Sequence, residues 1–366
     1  MIKKTIRDLI IISAVFAIAT EILFGYLSSV NKMDSVYRNW DGPGYILVAK
    51  TLYDPNLINR INPFPFTPKY WTLTYPLYPV FIRLFSFIGY PQSMILVSTI
   101  FTLLFIIAFY FLLRKLNPQA NALVVCLLLI FYPPRWFIVS HVGSSEPLFL
   151  FLEVMFLIFF MKKQFFLSAI CAGLAAVTKA NGLFLLAAVS IYGFLEIFIW
   201  HTKSLASGVR QYLPFLLVPV FPAALYTLYY FRFGDFFSYS HSMSQYYYFI
   251  WGHFLGMFTH IPAGDYEVWK EGLVYTFLIY LIAIHILVQK KQYLVAIIGG
   301  IYYLGIMQIT FTDISRYFLP LLPMAFLAYA NGLSKKPVYL AMLLCVPLVY
   351  LYAIGYINFN VAEAIP

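Results

Sequence analysis

Trp40-Asp41-Gly42 is the first of five short segments whose residue types suit group-transfer chemistry, and it lies about ten residues beyond an apolar run. A carboxylate on a short tether can act as a general base if an acceptor hydroxyl lies within hydrogen-bond reach. Trp40 would anchor the turn, and Gly42 would let the backbone approach a ligand. Alternatively, Asp41 caps a helix, because Asp followed by Gly-Pro is a good helix start. The two roles are compatible.

Two further segments predict a groove and a second carboxylate. Residues 74–79 (Thr-Tyr-Pro-Leu-Tyr-Pro) are stiffened by their prolines. They form either a simple turn before the next apolar run or one wall of a substrate groove, in which Tyr78 would contact the ligand. Residues 144–147 (Ser-Ser-Glu-Pro) are typical of a helix N-terminus. The Glu146 carboxylate can also bind a sugar hydroxyl or a basic partner.

The last two segments each carry a cation. Lys179, next to Asn181, either binds an anionic headgroup or extends to the membrane surface without a specific ligand. Arg316 can hold phosphate oxygens bidentately, which stabilises a phosphate leaving group as its charge grows. Alternatively, Arg316 pairs with Asp313 in a surface ion pair that contributes about 0–1 kcal/mol.

No cofactor is expected beside these segments. The chain has no HExxH sequence, no phosphate-binding Gly-rich loop and no Rossmann fingerprint. Four histidines expected on the same side of the membrane as these segments also lack metal-type spacing with Cys or carboxylates. They are His141, His241, His253 and His260. The sequence therefore predicts neither a nucleotide site nor a metal site.

The amino-acid composition indicates that these segments belong to a membrane protein. Of the 366 residues, 62% are hydrophobic and only 10% are charged, whereas soluble domains carry about 25% charged residues. This balance predicts an all-α polytopic membrane protein with a single domain, residues 1–366. The net charge of +10 is assigned to contacts with anionic membrane lipids rather than with nucleic acid.

Eleven apolar segments approach the roughly 20 residues that a membrane-spanning helix needs. They are residues 8–30, 92–113, 119–134, 145–161, 164–178, 182–200, 211–231, 272–289, 292–311, 317–332 and 337–357. Alternating through them puts the paired basic residues of the short connections on the side of the N-terminus, which is therefore expected in the cytoplasm. The other side receives the five segments above and two long loops, 31–91 and 232–271. Within the first loop, residues 43–53 are expected to form a short helix on the membrane surface.

The motifs 40–42, 75–79, 144–149 and 179–182 occur in an order and spacing that resembles the PIG-V-like mannosyltransferases. These are GT-C glycosyltransferases whose eukaryotic members add the second mannose to the glycosylphosphatidylinositol anchor. The resemblance covers most of residues 1–190. This chain has Lys-Ala-Asn-Gly at 179–182 where the family usually has Arg-Ser-Asn-Gly, and Ser-Glu-Pro at 145–147 where it has Ser-Glu-Ser. The chain is also shorter than eukaryotic members, which favours a bacterial or archaeal relative.

The resemblance implies a GT-C fold and an enzyme that moves a sugar, in this family mannose, from a polyprenyl-phosphate donor to a lipid or glycan acceptor. The reaction would take place on the extracytoplasmic face of a prokaryotic cell membrane, or of the endoplasmic reticulum membrane in a eukaryote. Asp41 would be the general base of an inverting displacement. The candidate substrate-binding residues are Trp40, Tyr78, Glu146, Lys179, Asn181 and Arg316, of which Lys179 and Arg316 follow from their charge and not from the family.

A secondary transporter or a flippase for a lipid-linked sugar is the alternative from a different class. Ionisable residues inside membrane segments are costly and often line a transport pathway. Glu21, Glu153 and Glu196 lie within or near the ends of apolar segments. A transporter would also be expected to contain an internal repeat, and none is visible in the chain.

Overall fold

The computed structural model of the protein describes residues 2–247, 251–260 and 267–366. In these ranges the protein is all-α, and the extended pairings are two isolated β-bridges, Asn39 with Val361 and Trp251 with Ile309. Residues 248–250 and 261–266 of the predicted second loop lie outside the described part of the chain.

The bundle is built from helices of very different lengths. In the first half they are α1 (Ile2–Ser29), α2 (Met33–Tyr37), α3 (Gly42–Thr51), α4 (Pro55–Ile61), α5 (Leu77–Leu84), α6 (Tyr90–Leu116), α7 (Ala122–Phe131), α8 (Pro134–Val139), α9 (Glu146–Met161) and α10 (Phe165–Ala176). In the second half they are α11 (Leu183–Phe194), α12 (Leu205–Tyr212), α13 (Val220–Phe233), α14 (Ser238–Tyr247), α15 (Gly256–Thr259), α16 (Glu267–Gln289), α17 (Tyr293–Ile306), α18 (Ile314–Tyr317), α19 (Leu322–Leu333), α20 (Lys336–Leu344) and α21 (Val346–Phe359). A short 3-10 helix, Pro68–Leu73, lies between α4 and α5.

Six helical stretches of the described chain are long and apolar enough to cross a membrane. They are Lys3–Ser29, Tyr90–Leu116, Ala180–Ile199, Leu205–Phe233, Trp269–Gln289 and Lys336–Phe359. Each of the eleven predicted apolar segments contains helix, but several of these helices are shorter, such as α7, α10 and α17. The long apolar helices are those of a membrane-embedded protein, whereas the total of eleven crossings stays a prediction.

The core lies where α6, α9 and α10 pack together. On α6, the side chains of Phe105 and Phe109 are fully buried, whereas Leu104 and Phe111 on its other face are exposed. Helices that are apolar on all sides are typical of a membrane environment, because the outward face meets lipid instead of water. The same sequence therefore packs the bundle interior and covers its outside.

The basic turns gather at one end of the bundle, as the charge pattern predicts. Hydrogen bonds join them there: Arg114 to Thr5, Lys115 to the Met161 carbonyl, Gln292 to the Leu116 carbonyl, and the Asn121 backbone to Ser334. Because α9 begins at Glu146 and reaches this end at Met161, its first residue lies at the opposite end. All five segments singled out above are on that opposite end.

The helix predicted at 43–53 forms as α3, but its expected position on the membrane surface is wrong. Every residue of α3 except Lys50 is buried. The physical reason is visible in the sequence, because Gly-Pro-Gly-Tyr-Ile-Leu-Val-Ala has no polar face to turn towards water. A helix that is apolar on all sides packs inside the protein, and α3 does so against α5.

Candidate functional site

A cavity of about 360 Å³ opens at the end of the bundle opposite the basic turns, within the range of roughly 300–1,000 Å³ that is common for ligand pockets. Its charged lining residues are Asp41, Lys179, Asp313 and Arg316. Most of the remaining wall is aromatic and includes Phe64, Phe66, Tyr70, Trp71, Tyr75, Phe184, Tyr247, Trp251 and Phe311. The cavity therefore combines a group of charged side chains with a largely apolar, aromatic wall.

Four of the predicted site residues meet in one charged cluster, namely Asp41, Glu146, Lys179 and Arg316. Arg316 donates from Nε to Glu146 Oε1 at 2.5 Å and from Nη2 to Oε2 at 3.2 Å. Lys179 Nζ donates to the same Glu146 Oε1 at 2.7 Å. The remaining Arg316 nitrogen, Nη1, donates to Asp41 Oδ2 at 2.6 Å. Arg316 thus bridges the two carboxylates, and Glu146 receives both cations.

Burial differs strongly across the charged cluster. The Glu146 side chain is 1% exposed and that of Arg316 is 13%, whereas Asp41 is 47% exposed at the cavity. Burial opposes the charge of Arg316, but the carboxylates of Glu146 and Asp41 outweigh it and raise the arginine pKa well above its usual value. Burial lowers the pKa of Lys179, with Glu146 acting in the opposite direction. Glu146 lies beneath its cations, so the basic partners predicted for it are present.

The Asp41 side chain does not cap α3. It occupies the N-cap position, yet its carboxylate makes no capping hydrogen bond and binds Arg316 instead. Gly42 also has a different role from the predicted one. A Cβ atom at Gly42 would lie 3.2 Å from the Met94 Cε and 3.2 Å from the Tyr37 carbonyl oxygen, so this glycine packs closely inside the protein, and it does not line the cavity.

The other three predicted residues, Trp40, Asn181 and Tyr78, differ in whether they reach the cavity. Trp40 lines the cavity in a left-handed conformation, φ 45°, and its backbone N–H donates to the Asn360 carbonyl at 3.0 Å. Asn181 also lines the cavity, and its buried Oδ1 has no hydrogen-bond partner among the described residues. Tyr78 is fully buried behind Tyr45, with ring centroids 4.8 Å apart, and does not reach the cavity surface.

The Tyr78 hydroxyl connects three elements that position Glu146. It donates to the Met94 carbonyl at 2.9 Å, lies 2.7 Å from Ser98 Oγ and accepts from the backbone N–H of Ser144 at 3.1 Å. Tyr78 therefore lies beneath the groove as a support for the start of α9. Its neighbours Thr74 and Tyr75 do line the cavity, so the wall role predicted for residues 74–79 applies to the first two of them.

Replacing Tyr78 by Phe is expected to lower the free energy of unfolding by about 1–3 kcal/mol, because the buried Ser144 N–H would keep only its longer bond, 3.4 Å, to Ser98 Oγ and the Met94 carbonyl would lose its hydroxyl donor. Thermal unfolding in detergent measures the change. Tyr230→Phe, at an exposed position on α13, is the matched control and should unfold like the parent. Unchanged stability in Tyr78→Phe, combined with weaker substrate binding, would instead favour the direct ligand contact first expected.

Arg135 is a member of the site that sequence reasoning missed. Arg316 does not form the predicted pair with Asp313, because the Asp313 carboxylate binds the guanidinium of Arg135. The Arg135 side chain is 6% exposed and lies 3.9 Å above the ring centroid of Tyr356. Burial raises the pKa of Asp313, and the charge of Arg135 opposes that shift. Its position in the sequence is a usable signal, since Arg135 is a third cation, beside Lys179 and Arg316, in the short turns of the side opposite the basic clusters.

The arrangement has the elements of a base-assisted group transfer in which an anionic leaving group departs. Asp41 presents a carboxylate to the cavity, and two cations lie beside it. Arginine has five N–H donors, and three of those of Arg316 bind the carboxylates, so the carboxylates leave two of its N–H groups unused. Among residues 2–247, 251–260 and 267–366, no group of three or more His, Cys, Asp or Glu side chains is arranged to hold a metal ion.

Comparisons with known proteins add no further constraint on the activity. No protein-family model matches the chain, and no curated protein matches it significantly.

Proposed function

We propose that this protein is an integral-membrane GT-C glycosyltransferase with about eleven spans, related to the PIG-V-like mannosyltransferases. It would transfer a sugar, mannose by resemblance, from polyprenyl phosphate to a lipid or glycan acceptor. In this proposal the N-terminus and the basic turns face the cytoplasm and the cavity opens on the extracytoplasmic side.

The observation that carries the proposal is the position of the charged cluster at an aromatic cavity in a membrane-embedded bundle. A polyprenyl-phosphate sugar has the matching construction, with an anionic phosphate and a sugar at one end of a long apolar chain. Aromatic side chains offer large apolar surfaces to such a chain. The lipid-linked donor also accounts for the absence of nucleotide-binding motifs from the sequence.

The proposed reaction is a single displacement at the anomeric carbon. Asp41 accepts the proton of the acceptor hydroxyl while that oxygen forms a bond to the anomeric carbon. The bond from this carbon to the phosphate oxygen breaks on the opposite side, and its electron pair leaves with polyprenyl phosphate. The anomeric configuration therefore inverts. The free donors of Arg316, together with Lys179, stabilise the charge that develops on the phosphate.

Glu146 has a supporting role in this mechanism. A phosphate clamp needs its cations held in place before the donor arrives, because ordering two long side chains during the reaction would cost entropy. Glu146 binds both Lys179 and Arg316 from the buried side, which leaves their other surfaces towards the cavity. We therefore assign Glu146 to positioning the cations and Asp41 to proton transfer.

The three acidic residues that suggested a transporter or flippase do not share a pathway. Glu21 is exposed on the outer face of α1. Glu196 is paired with Lys203 and Tyr212. Glu153 is fully buried in α9 beside the side chain of Tyr302. Separate surroundings for the three residues favour the transferase over the transporter.

The proposal is tested by offering purified protein a labelled polyprenyl-phosphate mannose together with membrane lipids and glycans. We expect label to appear in an acceptor and the anomeric configuration of the product to be the reverse of that in the donor. Label that stays on the donor but crosses a vesicle membrane would identify a flippase instead. A product that retains the donor configuration would exclude the single displacement.

A further inference from the structure

A second pocket, with a volume of about 590 Å³, lies next to the cavity that contains Asp41 and Arg316, which we call the reaction cavity. We call the second pocket the outer pocket. It is lined by Pro55, Thr67, Pro68, Lys69, Arg232, Phe233, Asp235, His241, Ser242 and Gln245. None of these residues belongs to the charged cluster. The outer pocket is thus a separate concave surface at the same end of the bundle.

One wall separates the two spaces, and it consists of the 3-10 helix Pro68–Leu73 and α14. Lys69 faces the outer pocket, while the next residues, Tyr70 and Trp71, face the reaction cavity. On α14, His241 and Ser242 face the outer pocket, whereas Tyr247 faces the reaction cavity. A ligand in the outer pocket would therefore lie a single wall away from the reacting groups.

Hydrogen bonds hold the residues of this wall together. The Ser242 hydroxyl donates to the Lys69 carbonyl at 2.9 Å, and Thr72 donates to Ser242 at 3.4 Å. The hydroxyls of Tyr70 and Tyr247 lie 2.9 Å apart on the other side of the wall. Ser242 and Thr72 are both buried. The pocket surface is therefore held in shape without a ligand.

The lining of the outer pocket alternates hydrogen-bonding groups with apolar rings. Asp235 accepts from Lys69 Nζ at 3.3 Å and lies 2.9 Å from His241 Nδ1. The bond from His241 holds the pKa of Asp235 below its usual range, so the carboxylate stays an acceptor. Phe233 and two prolines add apolar faces. Charges that are already paired do not demand an ionic ligand.

Sugars present the complementary chemistry. A pyranose ring carries hydroxyls that donate and accept at once, and its C–H face packs on aromatic rings and prolines. We propose that the outer pocket binds a neutral carbohydrate, namely the part of a glycan acceptor that lies away from the reacting hydroxyl. The proposal rests on the proposed function, because it assigns the acceptor of that reaction to the class of glycans instead of simple lipids.

Equilibrium binding tests this site without any turnover. A mannose disaccharide is titrated onto the full-length protein in detergent, without donor, and followed by saturation-transfer NMR. Asp235→Asn keeps the shape of the side chain but removes the charge that orders Lys69 and His241. We expect it to weaken disaccharide binding at least about tenfold, the weight of one or two hydrogen bonds to a charged group. Gln245→Ala, at an exposed position, should weaken binding in the same direction without affecting folding.

Asp34→Asn is the matched control. Asp34 is ion-paired with Arg38 at 2.7 Å and lines neither pocket, so this variant should bind the disaccharide like the parent. Equal binding by all four proteins, or no binding by the parent, would overturn the proposal. Inorganic phosphate is added as a competitor. If it displaced the disaccharide and bound with the higher affinity, that would also overturn the proposal, in favour of an anion site. A protein that binds the sugar but transfers none would contradict the proposed function and leave this site standing.

Discussion

Asp41→Asn is expected to reduce sugar transfer from a polyprenyl-phosphate donor at least about a hundredfold, which is the usual weight of a general base. The amide keeps the shape of the side chain and can still accept a hydrogen bond from Arg316. It cannot take up the proton of the acceptor hydroxyl. Because Asp41 is about half-exposed, the loss should appear in turnover and not in folding. The measurement is the rate of transfer at saturating donor and acceptor.

Thermal unfolding of the same variant separates the two effects. The midpoint for Asp41→Asn should stay close to that of the parent, since half-exposed ion pairs contribute about 1 kcal/mol or less. Asp54→Asn serves as the control for a carboxylate elsewhere in the first loop, where Asp54 caps α4. That variant should retain transfer. Near-normal transfer by Asp41→Asn would exclude Asp41 as the base, whatever its stability.

Glu146→Gln is expected to have the largest effect on stability. This carboxylate is almost fully buried and receives both Lys179 and Arg316. Removing its charge leaves two largely buried cations with only Asp41 as a counter-charge, and breaking a buried ion pair from one side costs about 3–5 kcal/mol. We expect a clear fall in the midpoint of thermal unfolding in detergent. Transfer should fall as well, because the cations lose their support.

Glu21→Gln is the matched control, since it makes the same chemical change on the exposed face of α1. Its unfolding midpoint should equal that of the parent. If Glu146→Gln unfolded at the parent midpoint, the buried ion pairs would not hold this end of the bundle together. The pair Asp41→Asn and Glu146→Gln thus divides the partners of Arg316 into one that serves chemistry and one that serves structure.

Much of the site could be predicted from local signals. The short turns on the side without basic clusters carry three cations, Lys179, Arg316 and Arg135, and all three are ion-paired near the cavity. The positive-inside pattern is the physical reason, because a cation in a short turn on the opposite side departs from the usual distribution of Lys and Arg and so points to an anionic partner. Applied to Lys179 and Arg316 this reasoning brought the right residues together, and Arg135 was missed because the same test was not applied to it.

The pairing within the site could not be predicted. Arg316 has Asp313 three residues away, yet it binds Asp41 and Glu146, whereas Asp313 binds Arg135. The sequence does not show which carboxylate lies close to an arginine in space. The packing of the helices decides which carboxylate is within hydrogen-bond reach. The outer pocket was invisible for a related reason. It depends on how α14 packs, and α14 (Ser238–Tyr247) is a mostly polar helix within the stretch 232–271, for which the sequence predicts a long loop.

The span of chain that separates Arg316 from Asp41 has a consequence for biosynthesis. These two residues are 275 positions apart, and the Trp40 backbone is held by Asn360 from the end of the last helix. During synthesis, Asp41 and Glu146 leave the ribosome long before the arginine that binds them both. The nascent chain must therefore carry these carboxylates without that partner until the last third has been made. The charged cluster is complete only when Arg316 has joined Asp41 and Glu146, so a chain stalled before residue 316 would hold the helices of its first half and the Glu146–Lys179 pair without the arginine that links this pair to Asp41.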